Sequence, residues 1–107
     1  MTGYEAGDIA ITAAEGGIGY WAQIDLYQPD RWDGIDVPDD FLFYRVREQE
    51  GDWYGEWQDV RVSTIRRGVT LFQEGGPFYE PDDLGVMDAS EADAVIQYGL
   101  RGKVVFS

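Results

Sequence analysis

The stretch Glu15-Gly16-Gly17-Ile18-Gly19-Tyr20-Trp21-Ala22 constrains this chain more than any other. Three glycines in four positions free the backbone from the usual steric limits, and two large aromatic rings follow at once. From Tyr20 to Tyr27 the residues alternate: Tyr20, Ala22, Ile24 and Leu26 share one face, and Trp21, Gln23, Asp25 and Tyr27 the other. A tight turn therefore feeds directly into a strand, and the rest of the chain reads as material that covers it.

Upstream, residues 1–7 read as a loose tail. Asp8–Glu15 supports two readings: alternation of Ile9 and Ile11 suits a strand, whereas Asp8 as N-cap and Gly16-Gly17 as a stop suit a short helix. The helix is preferred. Downstream, Gln28–Asp40 is a loop dense in turn residues, with Trp32 inside it either folded back onto the core or presented to a partner. Phe41–Glu48 is a second strand, with Leu42, Tyr44 and Val46 facing one way and Phe41, Phe43, Arg45 and Arg47 the other. Glu50-Gly51-Asp52 marks a hairpin, and Trp53–Val62 a third strand, with Val60 and Val62 inward.

Ser63 then stands as N-cap to a helix whose stripe is Ile65, Gly68, Val69 and Phe72, stopped at Gly75-Gly76-Pro77. An acidic loop follows. Capping-box spacing, of Asp88 to Glu91 or of Ser90 to Asp93, opens a last helix with Ala92, Val95, Ile96, Gly99 and Leu100 inward. Gly102 stops it, and Lys103–Ser107 is a short closing strand. The sum is one α+β domain over residues 1–107: a small, mainly antiparallel sheet, a three-stranded meander plus a C-terminal strand, with two to three helices packed on one face.

Composition narrows the chemistry. Without Cys there are no disulfides or thiolate ligands, and without His the usual base near neutral pH and the usual metal ligand are missing. Ser63, Ser90 and Ser107 thus lack a partner for nucleophilic catalysis. The glycines at 16, 17 and 19 match no phosphate-binding loop and precede a strand, where such loops precede a helix. Carboxylates crowd two loops, Asp33, Asp36, Asp39 and Asp40 in one and Glu80, Asp82, Asp83 and Asp88 in the other, without the spacing of a calcium loop. The expectation is a protein that is not an enzyme, with no cofactor and no metal site. No apolar run is long enough for a membrane span, and the N-terminus shows no secretory signal, so a cytoplasmic protein is expected.

Charge is the strongest global feature: 21 acidic against 8 basic residues, net −13. Such a field repels nucleic acid and anionic membrane and favours a basic partner. Asp33, Asp36, Asp39 and Asp40, interleaved with Trp21, Trp32, Trp53, Tyr54 and Trp57, predict a partner-binding surface that imitates a phosphate backbone with its stacked bases. An alternative rests on Arg61, Arg66 and Arg67, which surround the start of a helix whose N–H groups attract anions and would hold a nucleotide or similar ligand.

Three segments carry a resemblance: residues 15–22 above, Val62-Ser-Thr-Ile-Arg-Arg-Gly-Val69, and Ala92-Asp-Ala-Val-Ile-Gln-Tyr-Gly-Leu-Arg-Gly-Lys-Val-Val-Phe106. They resemble small, acidic, uncharacterised proteins encoded by phages and mobile elements of actinobacteria, with their early E-G-G-x-x-Y-W segment, T-I-x-x-G helix and A-D-x-[IV]-x-Q helix. The family has no assigned activity, so no site residue is carried over from it. The resemblance implies a phage accessory role, counter-defence included, in the cytoplasm of a bacterial host.

Overall fold

Thr2 opens the first helix. Its hydroxyl accepts from the Glu5 N–H at 3.1 Å and the Glu5 carboxylate accepts from the Thr2 N–H at 2.9 Å, a reciprocal capping box that starts α1 (Gly3–Gly16). In this computed structural model, which describes residues 1–51, 54–75 and 87–107, the expected loose tail is therefore part of a helix. The preferred helical reading of residues 8–15 holds, but Thr2 and not Asp8 is the N-cap. Met1 is tied down as well, its carbonyl accepting from Arg66 Nη1 at 2.7 Å. Ala6, Ile9, Ala10 and Ala13 form the buried stripe of α1.

Past Gly17 the chain coils once more before it straightens: the N–H groups of Trp21 and Ala22 both donate to Ile18 O. This extra turn delays β1 to Ala22–Asp25, shorter than the expected Tyr20–Tyr27, and leaves Tyr20 exposed and Trp21 buried. Leu26 ends the strand in the left-handed region at φ 65°, unfavourable for a branched side chain, with its N–H held by Asp25 Oδ1 at 2.9 Å. It is thereby turned out of the face assigned to it.

β2 (Leu42–Glu48) pairs antiparallel with β1 and with β3 (Trp57–Arg61), in the order β1-β2-β3. An irregularity between Leu42 and Tyr44 breaks the alternation, so Phe43, expected outside, is buried beside Tyr44. Val46 and Val60 continue the inner face, and the Tyr44 hydroxyl donates to Ala10 O at 2.8 Å.

β3 runs without a break into α2 (Val62–Gly75), so Val62 is a buried helical residue and Ser63 is not the N-cap. The stripe Ile65, Gly68, Val69 and Phe72 is buried as read from the sequence. α3 (Ala89–Arg101) opens with the Asp88–Glu91 capping box, which decides between the two alternatives, and ends at Gly102. α2 and α3 cross where each presents a glycine: a Cβ on Gly68 would stand 2.1 Å from Val95 O, and one on Gly99 2.2 Å from Thr64 O.

The expected closing strand is not in the sheet. Residues 103–107 are instead pinned by the Gln97 side chain, whose Oε1 accepts from the Val105 and Phe106 N–H groups at 2.7 and 2.8 Å. Its Nε2 donates to Phe106 O at 3.1 Å, so one amide side chain replaces a neighbouring strand. Among the described residues no helix is long and apolar enough to cross a membrane.

Candidate protein-interaction surface

The loop between β1 and β2 is closed onto α1 by its tryptophan. Pro29–Arg31 makes one turn of 3-10 helix, and Trp32 turns inward to 1% exposure. Its indole N–H donates to Gly7 O at 3.2 Å, and its ring meets Phe43, Tyr27 and Phe41 at centroid distances of 5.2, 5.9 and 6.3 Å. Two glycines of α1 make room. A Cβ on Gly7 would lie 2.7 Å from Trp32 Cδ1, and one on Gly3 1.9 Å from Val37 O, so backbone meets backbone here. The Tyr4 N–H also donates to Asp36 Oδ1 at 3.3 Å.

This docking sets the carboxylates of α1 beside those of the loop. Asp8 is pushed above the ordinary carboxylate value, first by partial burial, then by the negative charges of Asp33 and Glu5. Farther along α1, the Tyr27 hydroxyl donates to Glu15 Oε2 at 2.6 Å. Burial raises that phenol, as do its bond to Glu15 and the charges of Glu15 and Asp33. Asp33 therefore acts on Asp8 and on Tyr27, and together with Glu5, Asp8 and Glu15, which recur along one side of α1, it makes up an acidic strip. Tyr4 and Ile35, 47% and 50% exposed, supply apolar surface next to it.

The outer sheet face is organised differently. Across the strands Asp25, Arg45 and Asp59 stand in one register row, and Gln23, Arg47 and Trp57 in the next. Asp59 is shared by Arg45 Nε at 3.1 Å and Arg61 Nη2 at 2.8 Å. Arg47 lies 4.6 Å over the Trp57 ring. On this face Asp59 is matched by two arginines, whereas Arg47 rests on an aromatic ring.

The expected partner-binding residues are thus divided. Trp21 and Trp32 are both about fully buried, so neither presents an anchor; their bulk closes the core. Asp33 and Asp36 belong to the strip against α1. Asp39 pairs with Arg66 Nη2 at 2.7 Å, which turns its carboxylate toward α2, and the Asp40 backbone carbonyl accepts from Arg61 Nη1 at 2.8 Å. Tyr54 and Trp57 are exposed at the outer sheet face, beside Arg47 and apart from the strip. Trp53 and the acidic loop with Glu80, Asp82 and Asp83 lie outside the described residues.

The alternative ligand site does not assemble. Arg61 is held by Asp59, Arg66 by Asp39 and Met1, and Arg67 Nη2 lies against Gly102 at the end of α3. The first N–H groups of α2 are also taken: Val62 N donates to Phe41 O at 3.2 Å and Ser63 N to Asp39 O at 3.0 Å. Backbone carbonyls have the place an anion would need. Among the described residues no three carboxylates gather closely enough to hold a metal ion.

Sequence reasoning missed Tyr4, Glu5, Asp8 and Ile35. The signal for the first three was present, since Thr2-Gly-Tyr-Glu5 has capping-box spacing just before an apolar run. Ile35 carried none. A second polar cluster also went unread. Asp93, buried on α3, accepts from Trp21 Nε1 at 2.8 Å, Gln97 Nε2 at 2.9 Å and the Tyr20 hydroxyl at 2.6 Å. Burial and then the bond to Asp93 push the Tyr20 phenol up to about 12. Phe106 stacks on Trp21 at 5.1 Å, and a groove of ≈ 640 Å³ runs alongside between Gly16-Gly17, α3 and the C-terminal residues. With three donors on the carboxylate and the amide of Gln97 fully engaged, this cluster fastens Trp21 and the chain end.

Comparison of the chain with protein-family models, with curated proteins and with solved structures finds no match.

Proposed function

We propose that this protein is a non-enzymatic accessory protein that binds a basic protein partner through the acidic strip of α1 and the 28–40 loop. The observation that carries the reading is the docking of Trp32 and Val37 onto Gly7 and Gly3, which holds like charges side by side instead of dispersing them. A flexible acidic loop relaxes away from like charge; this one is fixed in place by a buried indole. Carboxylates so held lose their mutual repulsion when a cationic surface covers them, and that favours association. Tyr4 and Ile35 give the contact an apolar centre of the kind that dominates interface energetics.

The complement of such a strip is a surface of Lys and Arg, as on proteins that hold nucleic acid by its phosphates, which makes the strip a candidate mimic of a phosphate backbone. Imitation of stacked bases has lost Trp32, and the proposal therefore rests on the carboxylates. The phage setting, the counter-defence role and the cytoplasm of a bacterial host are supported by the sequence resemblance.

The test is capture from a bacterial lysate on immobilised wild-type protein and on Asp33→Lys/Asp36→Lys, two exposed positions. Basic proteins should be retained by the wild type at low salt, released as salt rises, and absent from the double variant. Equal retention by both proteins contradicts the proposal.

A further inference from the structure

One arginine of this acidic protein is held in a fixed pose without a carboxylate. Arg47 Nε donates to Gln23 Oε1 at 2.9 Å, and Nη2 donates to the same oxygen. Trp57 lies under the guanidinium plane at 4.6 Å. Among the described residues, the ion pairs involve Arg45, Arg61, Arg66 and Arg101, and Arg47 takes part in none. A guanidinium carries five N–H donors, so about three, two of them on Nη1, stay unspent by Gln23.

Arg47 lines a pocket of ≈ 400 Å³ together with Gln23, Glu48, Gln49, Tyr54 and Gly55. The Glu48 side chain points the other way, buried against Arg101 Nη1 at 2.9 and 3.0 Å and bonded by Gln58 Nε2 at 3.1 Å, so its charge is already matched. Tyr54, 70% exposed, lines the same pocket and is followed by Gly55 in the left-handed region at φ 80°. The pocket therefore offers a prearranged cation, polar amide side chains, and an exposed tyrosine.

We propose that this pocket binds a small planar anion, its oxyanion on the Nη edge of Arg47 and its ring on Tyr54. The guanidinium fork suits the paired oxygens of a carboxylate or phosphate, and its orientation costs less on binding because Gln23 and Trp57 already restrict it. The overall charge of −13 disfavours polyanions and selects a ligand of low charge. The site is separate from the acidic strip, and nothing in it depends on a protein partner.

The test is a two-dimensional NMR titration that follows the Arg47 Nε–H and the Tyr54 and Gly55 amides. Benzoate and adenosine monophosphate are the ring-bearing probes, with acetate, inorganic phosphate and uncharged adenosine as comparisons. At least one ring-bearing anion should give saturable shifts at these positions and bind at least about tenfold more tightly than acetate or phosphate. Which of the two does so identifies carboxylate or phosphate as the preferred oxyanion. Arg47→Gln should abolish the shifts while the remaining spectrum stays folded, and Arg45→Gln, one row away, should leave them. Absence of saturable shifts with both ring anions overturns the proposal, as does equal binding of adenosine or equal loss in Arg45→Gln.

Discussion

On the outer sheet face Asp59 stands between Arg45 and Arg61, whereas on α1 the partly buried Asp8 is also raised by the negative charges of Asp33 and Glu5. The same kind of side chain is matched in one region and crowded in the other. The reason lies in how each is built. Antiparallel register places residues of neighbouring strands directly opposite one another, so a single arginine per row suffices to pair an acid. Along α1 the acids recur at helical spacing, and the loop laid across them adds more acid. Net charge alone does not point to the proposed binding surface; the distinction between paired and unpaired carboxylates does.

That contrast is most exposed to attack at Trp32. Trp32→Ala removes the buried plug of the loop and should lower stability by about 3–5 kcal/mol, read by chemical denaturation, with the loop then released from α1. Trp57→Ala, on the half-exposed sheet face, should cost no more than about 1 kcal/mol, the scale of an exposed cation–π contact. Comparable losses would mean that the two regions are held in the same way.

Next in size is Asp59→Asn. It breaks two ion pairs whose side chains are 38–42% exposed, and solvent screening limits the expected loss to about 1 kcal/mol. The opposite sign is expected at Asp8. Its folded-state titration lies above the ordinary value of 3.8, so the folded chain holds this proton to higher pH than the unfolded chain. Stability contributed by the protonated group is thus lost as pH rises from 3.8 toward the raised value, and ionised Asp8 is a net cost at neutral pH. Asp8→Asn should stabilise at pH 7 by less than about 0.5 kcal/mol, and the gain should vanish below about pH 4. Denaturation curves for both proteins across that range decide it.

The smallest effect is that of salt. Raising ionic strength should shrink the gain from Asp8→Asn, because screening relieves the same repulsion, and should weaken the Asp59 pairs slightly. Thermal melts of the two variants at low and high salt should therefore converge from opposite sides.

Much of this architecture was legible in the sequence. The α2 and α3 stripes, with Gly68 and Gly99 inside them, follow from apolar spacing, and the meander follows from alternation between turns. The failures share a cause. Trp21, Leu26 and Phe43 were assigned by unbroken alternation, and each sits beside a local interruption: the coil after Ile18, the left-handed residue, and the irregularity before Tyr44. The closing strand failed because a side-chain amide provides the same hydrogen bonds as a strand edge. Of the proposed interaction surface, Asp33 and Asp36 are exposed loop acids as read from the sequence, but their neighbours on α1 were not seen, because the helix starts at Thr2 and not at Asp8. Which acids have an arginine within reach is a property of register and docking that composition does not carry.

The central claim is that cations are attracted to the unpaired strip in preference to the paired sheet face. Titration of the isotope-labelled protein with a short oligo-arginine peptide, followed by amide shifts at low salt, tests it directly. The account predicts shifts concentrated at residues 4–8 and 33–36, with 23–25 and 58–61 nearly unmoved, and their loss at high salt. Shifts of equal size on both faces, or larger ones on the sheet face, would contradict it.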